Sequence, residues 1–450
     1  MDASKDKASD SPPSPVSLTE AFFYWLKLGF ISFGGPAGQI AIMHHDLVEK
    51  KRWISEKRFL HALNYCMVLP GPEAQQLATY IGWLMHRTWG GIIAGGLFVL
   101  PSFFILVGLA WVYMSFGSVP AVAGLLYGIK PAVVAIVLSA ACRIGSRTVR
   151  NGVLWSILAM AFVATFAFGV PFPAIVLAAA AIGYIGGHIS PGHFIAGGGH
   201  GKSGKDFGAA LIDDETPTPS HALFSWAKLS RIAAIGISIW LAVMYLLVMK
   251  YGWQSTFTQM GWFFTKAALL TFGGAYAVLP YVYQGAVEHY QWLTPAQMID
   301  GLALGETTPG PLIMVITFVS FVGGWVNQAF GAEAVFASAL LAAVVATFVT
   351  FLPSFIFIFM GAPFIETTQD NLKLTAPLTA ITAAVVGVIA NLALFFAYHV
   401  FWPAGMNHDV DWASVALAAT AVLAIFRYKM GVIPVILASG LLGMAWRLLA

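Results

Sequence analysis

Two short motifs, Phe33-Gly34-Gly35 and Pro70-Gly71-Pro72, occur a second time as Phe272-Gly273-Gly274 and Pro309-Gly310-Pro311. In both copies the first Gly of one motif lies 36 residues before the first Pro of the other. A third motif, Leu-Pro-Ser-Phe, starts at residue 100 and returns at residue 352, so the second copy has gained 13 residues before it. An ordered series of matches at a fixed offset indicates an internal duplication. The sequence therefore predicts two structural repeats.

The composition is typical of a membrane protein. Hydrophobic residues make up 59% of the 450 positions and charged residues 10%, whereas soluble domains carry about 25% charged residues. Several apolar runs have about the ~20 residues that cross a bilayer. These runs are 91–116, 119–141, 153–170, 232–248, 334–360, 378–401 and 412–426. We therefore expect an all-α polytopic membrane protein in contact with lipid. The net charge of +3 without a basic stripe argues against a nucleic-acid partner.

The polarity of the chain divides it into five segments. We predict a disordered cytoplasmic tail at 1–17, an N-terminal repeat at 18–189, a polar linker at 190–227, a connecting transmembrane helix at 228–250 and a C-terminal repeat at 251–450. The tail lacks the apolar core of a secretory signal peptide. The linker is rich in Gly, Ser and Pro, which is typical of a flexible connection.

Basic side chains change sides between the two copies. The first copy has clusters of Lys and Arg at 50–58 and at 143–150. The equivalent loops of the second copy, 283–300 and 398–411, contain no Lys or Arg and carry Glu and Asp instead. Because cytoplasmic loops are enriched in Lys and Arg, the exchange predicts repeats of inverted topology. It also predicts a cytoplasmic N-terminus.

The number of crossings depends on the segments that Gly and Pro interrupt. If each interrupted segment enters and leaves on one side, the chain has nine full spans and four re-entrant hairpins. If these segments cross the bilayer, the count rises to about thirteen. The first scheme places the basic loops inside, apart from Lys250 and Arg447. Both schemes stay open at this stage.

The repeated motifs interrupt helices inside apolar segments, because Pro lacks the N–H group and Gly has little helical preference. A broken backbone in lipid is tolerated where it is buried in protein or lines a wet cavity. Pro also favours the first turn of a new helix, so each motif can present a helix N-terminus to an anion near the membrane centre. The alternative is that the motifs are simple kinks. The predicted substrate-binding motif residues are Gly34, Gly35, Pro36, Pro70, Gly71, Pro72, Gly273, Gly274, Pro309, Gly310 and Pro311.

Two lysines, Lys27 and Lys266, precede the Gly-Gly motifs at equivalent positions. An ionisable group inside a span costs about 2.5–3.5 kcal/mol on insertion scales, so we predict that both lysines attract the substrate. The alternative is that they extend to the membrane surface. Trp53 and Trp292, also equivalent, are predicted to be interfacial anchors.

Two carboxylates, Glu73 and Glu306, lie close to the Pro-Gly-Pro motifs but not at equivalent positions. Each could carry a coupling proton or bind Na⁺, or could pair with a lysine. Lys130, in a long apolar span, has no basic counterpart in the second copy.

With these residues in view, the chain resembles the chromate ion transporter family in its long, two-domain bacterial form. The resemblance lies in residues 33–36, 70–72 and 100–103 and in their partners in the second copy, and it extends over nearly all of residues 20–448. The second copy departs from the pattern at Ala275, which replaces the Pro of Gly-Gly-Pro, so the two half-sites need not be equal. The resemblance implies export of chromate, a tetrahedral dianion, and hence chromate resistance.

These observations together predict a secondary transporter and not an enzyme. No nucleotide-binding motif, cofactor site or metal site is evident, so we expect an ion gradient to drive transport. The alternatives are uptake or exchange of sulfate or another oxyanion, an anion channel and an intramembrane enzyme. The sequence shows no catalytic cluster at membrane depth to support the enzyme. It also leaves the oligomeric state open, a homodimer included.

Overall fold

The computed structural model describes residues 13–194, 207–214, 216–217, 219–272, 274–365 and 375–449. Over these ranges the chain is helical, and a single isolated bridge between Ile54 and Ile212 represents extended pairing. The first repeat contains α1 (Leu18–Ile31), α2 (Gly35–His44), α3 (Glu56–Cys66), α4 (Glu73–Phe116), α5 (Pro120–Thr148), α6 (Gly152–Phe168) and α7 (Phe172–Ile189). The connecting helix is α8 (Trp226–Tyr251). The second repeat contains α9 (Thr256–Leu269), α10 (Ala275–Tyr283), α11 (Pro295–Thr307), α12 (Val315–Asn327), α13 (Val335–Ile365), α14 (Thr375–Phe401), α15 (Trp412–Phe426) and α16 (Val432–Leu449).

Seven helices in the described ranges are long and apolar enough to cross a bilayer. They are α4, α5, α7, α8, α13, α14 and α16. Helices α6 and α15 are equally apolar but shorter, with 17 and 15 residues. The prediction of an all-α polytopic membrane protein is confirmed. Both span counts, nine with four re-entrant hairpins and about thirteen, stay predictions.

The two copies fold into the same order of elements. A π-helical turn follows α2 at His45–Lys50, and another follows α10 at Gln284–His289. The second turn begins and ends 239 residues after the first. Helix α4 is kinked at His86 and Arg87, where the backbone leaves helical geometry. The second copy is interrupted near the same place, since α12 and α13 are separate helices there. The 13 additional residues of the second copy therefore lengthen an interruption that the first copy has as a kink.

The last helices of each repeat pack against the other repeat. Helix α5 of the first repeat contacts α15 and α16, while α14 of the second repeat contacts α6 and α7. Helices α5 and α14 also contact each other. Close approach of α5 and α16 depends on glycine, because a Cβ atom on Gly128 would lie 2.7 Å from the Cα atom of Gly443. Small residues at such crossings are the usual basis of helix packing in membranes.

The described second half of the linker is attached to the first repeat. The N–H groups of Leu211 and Ile212 donate to the carbonyl oxygens of Arg52 (2.9 Å) and Trp53 (3.1 Å). The Ile212 side chain is buried, and the Ser55 hydroxyl donates to Asp214 at 2.6 Å. The prediction of a flexible linker is therefore wrong for residues 207–214. Linker residues 195–206, 215 and 218 lie outside the described residues, as do residues 1–12 of the predicted tail.

Both repeated tryptophans lie in the protein core. Trp53 and Trp292 are each 3% exposed. Trp53 packs edge-on against Tyr24, and Trp292 stacks on Tyr290 with ring centroids 4.5 Å apart. The prediction that they anchor the chain at the membrane surface is wrong, because aromatic neighbours within each repeat cover them.

Candidate functional site

The repeated motifs precede helix N-termini. Helix α2 begins at Gly35, after Gly34 in a left-handed conformation with φ of 87°, and α10 begins just after Gly274 with φ of 96°. Helix α4 starts directly after Pro72. In the second copy, Pro311 precedes a 3₁₀ turn that leads into α12. Since the first N–H groups of a helix have no partner within it, each break can present donors. Gly273 lies outside the described residues.

The two Pro-Gly-Pro motifs bond reciprocally to the opposite repeat. The Gly71 N–H donates to the carbonyl oxygen of Thr271 at 2.8 Å, and the Gly310 N–H donates to that of Ser32 at 2.7 Å. Ser32 and Thr271 are equivalent residues, each directly before a Phe-Gly-Gly motif. Each Pro-Gly-Pro motif is therefore tied to the chain entering the Phe-Gly-Gly motif of the other copy. The structure brings these motifs together where the two repeats meet.

The third motif joins the same junction through its serines. Both central glycines have positive φ angles, 127° at Gly71 and 97° at Gly310. A Cβ atom on Gly71 would lie 2.5 Å from the Ser354 Oγ atom, and one on Gly310 would lie 2.8 Å from the Ser102 Cβ atom. Each serine belongs to the Leu-Pro-Ser-Phe motif of the opposite repeat. In the sequence this motif marks the duplication, and its repetition was the signal that could have assigned it to the site.

Five buried polar atoms at this junction have no hydrogen-bond partner in the described part of the chain. They are the hydroxyl oxygens of Ser32, Ser102 and Ser354 and the amide oxygens of Gln39 and Gln76. The amide nitrogen of Gln39 donates to the Gly310 carbonyl oxygen at 2.5 Å, and that of Gln76 donates to the Pro70 carbonyl oxygen at 2.8 Å. A buried polar group left unpaired costs about 1–3 kcal/mol, so such a cluster requires an explanation.

The chemistry of these atoms fits an oxyanion that brings water or a proton with it. The three hydroxyl groups can donate hydrogen bonds to anion oxygen atoms, while the two amide oxygens can accept them. The two glutamines are not repeated in the second copy, so the duplication does not mark them. At the equivalent positions of the second copy stand Val278 and Val315. The donor set is thus symmetric in its serines and asymmetric in its amides.

A cation and a carboxylate lie beside the motifs of the second copy. Tyr276, two residues after Gly274, donates its hydroxyl hydrogen bond to Glu306, three residues before Pro309. The guanidinium of Arg143 lies 6.0 Å from the centre of the Tyr276 ring. In the sequence Arg143 belongs to the basic cluster at 143–150, and its contact with Tyr276 was not predicted because it joins distant parts of the chain.

The symmetric lysines adopt less specific positions. Lys27 is exposed on α1, and the Lys266 Nζ atom lies 5.5 Å from the centre of the Trp262 ring. Such positions also suit lysines that extend toward the membrane surface, and attraction of substrate stays a prediction. Glu73 is the first residue of α4, where a carboxylate stabilises a helix N-terminus. Its coupling role also stays a prediction.

Comparison with known proteins identifies the family. A sequence model of chromate transporters matches residues 19–184 and 258–444 of the chain. The chain belongs to the chromate transporter family. The two matched segments lie within the two repeats. Family membership indicates a multi-pass membrane protein that transports chromate, and it points to transport rather than catalysis.

Proteins named as transporters align with all or part of the chain. The chromate transport protein of Pseudomonas aeruginosa is 33% identical over 446 residues, which cover 97% of this chain and 94% of that protein. The chromate transport protein of Cupriavidus metallidurans is 27% identical over 427 residues, 95% of this chain and 92% of that protein. An uncharacterised transporter of Bacillus subtilis, YwrB, is 28% identical over 139 residues, which cover 30% of this chain and 71% of YwrB. No solved structure matches the chain.

Proposed function

We propose that the protein is a secondary transporter that exports chromate across the inner membrane and thereby confers chromate resistance. An ion gradient drives export, the two repeats are inverted, and the N-terminus is cytoplasmic. The observation that carries this proposal is the reciprocal bonding of Gly71 and Gly310 across the repeats. It lies beside buried hydroxyl groups that have no hydrogen-bond partner among the described residues. A site at the interface of two repeats is the usual arrangement in transporters built from duplicated halves.

In this proposal chromate binds between the Phe-Gly-Gly and Pro-Gly-Pro motifs. The hydroxyl groups of Ser32, Ser102 and Ser354 donate to its oxygen atoms, together with N–H groups at the helix N-termini. Arg143 supplies a positive charge beside the site. Lys27 and Lys266 attract the anion toward it. Because donors from both repeats hold the dianion, its binding depends on the position of one repeat relative to the other.

Movement of one repeat against the other then gives alternating access. The hydrogen bonds of Gly71 and Gly310 both join the two repeats, so a rocking motion breaks or remakes them together. Glu73 or Glu306 carries a coupling proton. Glu306 is the better placed of the two to report on the substrate, because Tyr276 connects it to both Arg143 and the Gly-Gly motif.

The proposal is tested by uptake of radiolabelled chromate into everted membrane vesicles. We expect accumulation that depends on an imposed gradient and is abolished by a protonophore. The paired variant Ser102→Ala/Ser354→Ala should lose accumulation. The matched control Ser156→Ala, which removes an exposed hydroxyl from α6, should retain it.

Each other outcome points to a different conclusion. Chromate flux without accumulation would indicate an anion channel. Transport of competing sulfate in place of chromate would reassign the substrate. Chromate accumulation that survives the loss of both serines would keep the proposed function and reject the proposed site.

A further inference from the structure

A second group made of a cation, a tyrosine and a carboxylate joins the two repeats. The Lys130 Nζ atom of α5 lies 3.5 Å from the Oδ2 atom of Asp300 in α11. The Tyr113 hydroxyl of α4 donates to the same oxygen at 2.9 Å. We call these three residues the Asp300 cluster. The sequence placed Asp300 in an outer loop, and this expectation is wrong because Asp300 lies within α11 and is 2% exposed.

The second carboxylate oxygen of Asp300 has no partner. Its Oδ1 atom is buried and makes no hydrogen bond in the described part of the chain. Asp300 lines a cavity of about 370 Å³ together with Lys130, Tyr113, Gln297 and Ser118. The Lys130 side chain is 28% exposed. A buried carboxylate oxygen without a donor, next to a cavity, is an atom that can accept a proton.

The Asp300 cluster lies apart from the motif junction on the same two helices. Arg143 follows Lys130 by 13 residues on α5, a rise of about 20 Å. Glu306 follows Asp300 by six residues on α11, a rise of about 9 Å. Along both α5 and α11, the residue that belongs to the Asp300 cluster therefore precedes the residue that belongs to the group of Arg143, Tyr276 and Glu306.

The Asp300 cluster exists in one copy only. The position equivalent to Asp300 in the first repeat is His61, and the position equivalent to Lys130 in the second repeat is Thr382. An ionisable group inside a membrane protein is by default a functional candidate, and its partner must be identified. Here the partner comes from the other repeat, so relative motion of the repeats changes the distance between the two charges.

We propose that Asp300 is a proton-exchange site whose protonation turns the adjoining cavity into an oxyanion-binding site. The inference rests on the proposed transport function. A proton from water in the cavity binds the Oδ1 atom and gives a neutral carboxyl group, while Tyr113 still donates to Oδ2. The Lys130 ammonium keeps its charge but loses its counter-charge, so the cavity gains one net positive charge. Loss of the proton restores the ion pair and lowers the affinity of the cavity for the anion.

The neighbouring helices supply few other charges to this cluster. Helix α12 and the 3₁₀ turn before it contain no ionisable side chain. Arg447 of α16 lies over the ring of Tyr127, and His399 of α14 bonds to the carbonyl oxygen of Phe395 in its own helix. Among the described residues, Tyr113 and Lys130 are thus the ionisable groups that contact Asp300.

The first test observes the proton directly, without any substrate. Infrared difference spectra of the reconstituted full-length protein are recorded between mildly acidic and mildly alkaline pH. We expect a component of the protonated-carboxyl band that grows at acidic pH, disappears in Asp300→Asn and persists in Asp409→Asn. Asp409 is the matched control because it is an exposed carboxylate of the second repeat. A spectrum without such a band would overturn the proposal.

The second test measures coupling in proteoliposomes. Because the proton and the anion bind together, Asp300→Asn should lose chromate accumulation driven by a pH gradient that is acidic on the side of the added chromate. Chromate–chromate exchange should continue near the wild-type rate. Asp409→Asn should keep both activities. Proton-driven accumulation by Asp300→Asn at the wild-type level would overturn the proposal. If the wild type carries no chromate but the Asp300 band titrates, the proposed function fails and the proton site is upheld.

A third variant pair controls for misfolding. Lys130→Gln leaves the Asp300 charge buried without its partner, which is expected to reduce the amount of assembled protein. The double variant Lys130→Gln/Asp300→Asn removes both charges and should recover that amount. Absence of recovery would contradict the pairing of the two residues.

Discussion

Replacement of Gly71 by alanine is the sharpest test of the junction between the repeats. The substitution has two separable effects. Gly71 has a φ angle of 127°, a conformation that other residues rarely adopt and that costs about 1–3 kcal/mol. The added Cβ atom would also lie 2.5 Å from the Ser354 Oγ atom and 2.7 Å from the Gln76 Nε2 atom, and such overpacking costs about 1–3 kcal/mol. We therefore expect Gly71→Ala to destabilise the protein by about 2–6 kcal/mol in total.

A second glycine separates backbone strain from steric conflict. Gly169 also has a positive φ angle, 59°, but no atom lies within 4 Å of a Cβ atom built there. Gly169→Ala should carry the strain alone, about 1–2 kcal/mol. The double variant Gly71→Ala/Ser354→Ala should regain about 1 kcal/mol, since contacting residues couple by about 0.5–3 kcal/mol. Thermal denaturation of the detergent-purified variants, followed by tryptophan fluorescence, gives the order of stability.

The expected order of stability is wild type, Gly169→Ala, the double variant and then Gly71→Ala. If Gly71→Ala were as stable as Gly169→Ala, the close packing of Ser354 on Gly71 would be refuted. If Ser354→Ala gave no recovery, the clash would lie elsewhere. Ser354→Ala alone should be neutral or slightly stabilising, because its buried hydroxyl has no hydrogen-bond partner in the described ranges.

Three further substitutions test the site and the linker. Arg143→Gln should lower vesicle uptake of chromate about tenfold or more, as expected for loss of a charged partner. Arg147→Gln, one turn further along α5 and exposed like Arg143, should have no effect. Equal uptake by both variants would remove Arg143 from the site. Ser32→Ala should raise the KM for chromate about tenfold. The denaturation temperature should not fall, because the Ser32 hydroxyl has no hydrogen-bond partner among the described residues. A lower denaturation temperature would contradict this reasoning. Ile212→Pro removes the N–H group that donates to the carbonyl oxygen of Trp53. It should increase the rate of limited proteolysis at residues 207–214. An unchanged digestion rate would mean that the linker is not attached there.

The duplication made much of the fold predictable from the sequence. The Gly and Pro motifs predicted breaks that present helix N-termini, and α2 and α4 begin at Gly35 and directly after Pro72. Apolar length predicted the helices that can cross a bilayer. Proximity of the Phe-Gly-Gly and Pro-Gly-Pro motifs was also predicted, since a duplicated transporter places its broken helices at the repeat interface.

The remaining features depend on contacts that leave no periodic trace in the sequence. Gln39 and Gln76 have valine at the equivalent positions of the second copy, so the repeat does not mark them. Asp300 looked like a loop residue because the nearby chain is polar, whereas its burial follows from partners on α4 and α5. Trp53 suited a membrane surface by residue type, but packing against Tyr24 placed it in the core.

The exchange of terminal helices between the repeats has a consequence for biosynthesis. Helices α6 and α7 pack against α14, which begins 186 residues after α7 ends (375 − 189). At about 5–20 residues per second, the ribosome needs about 10–40 s to reach α14 after completing α7. During that interval the first half of the protein sits in the membrane with its helical partners still unmade, and its faces toward α14 are covered by lipid. Slowing translation between α7 and α14 should therefore reduce the yield of assembled protein more than slowing it between α14 and α16.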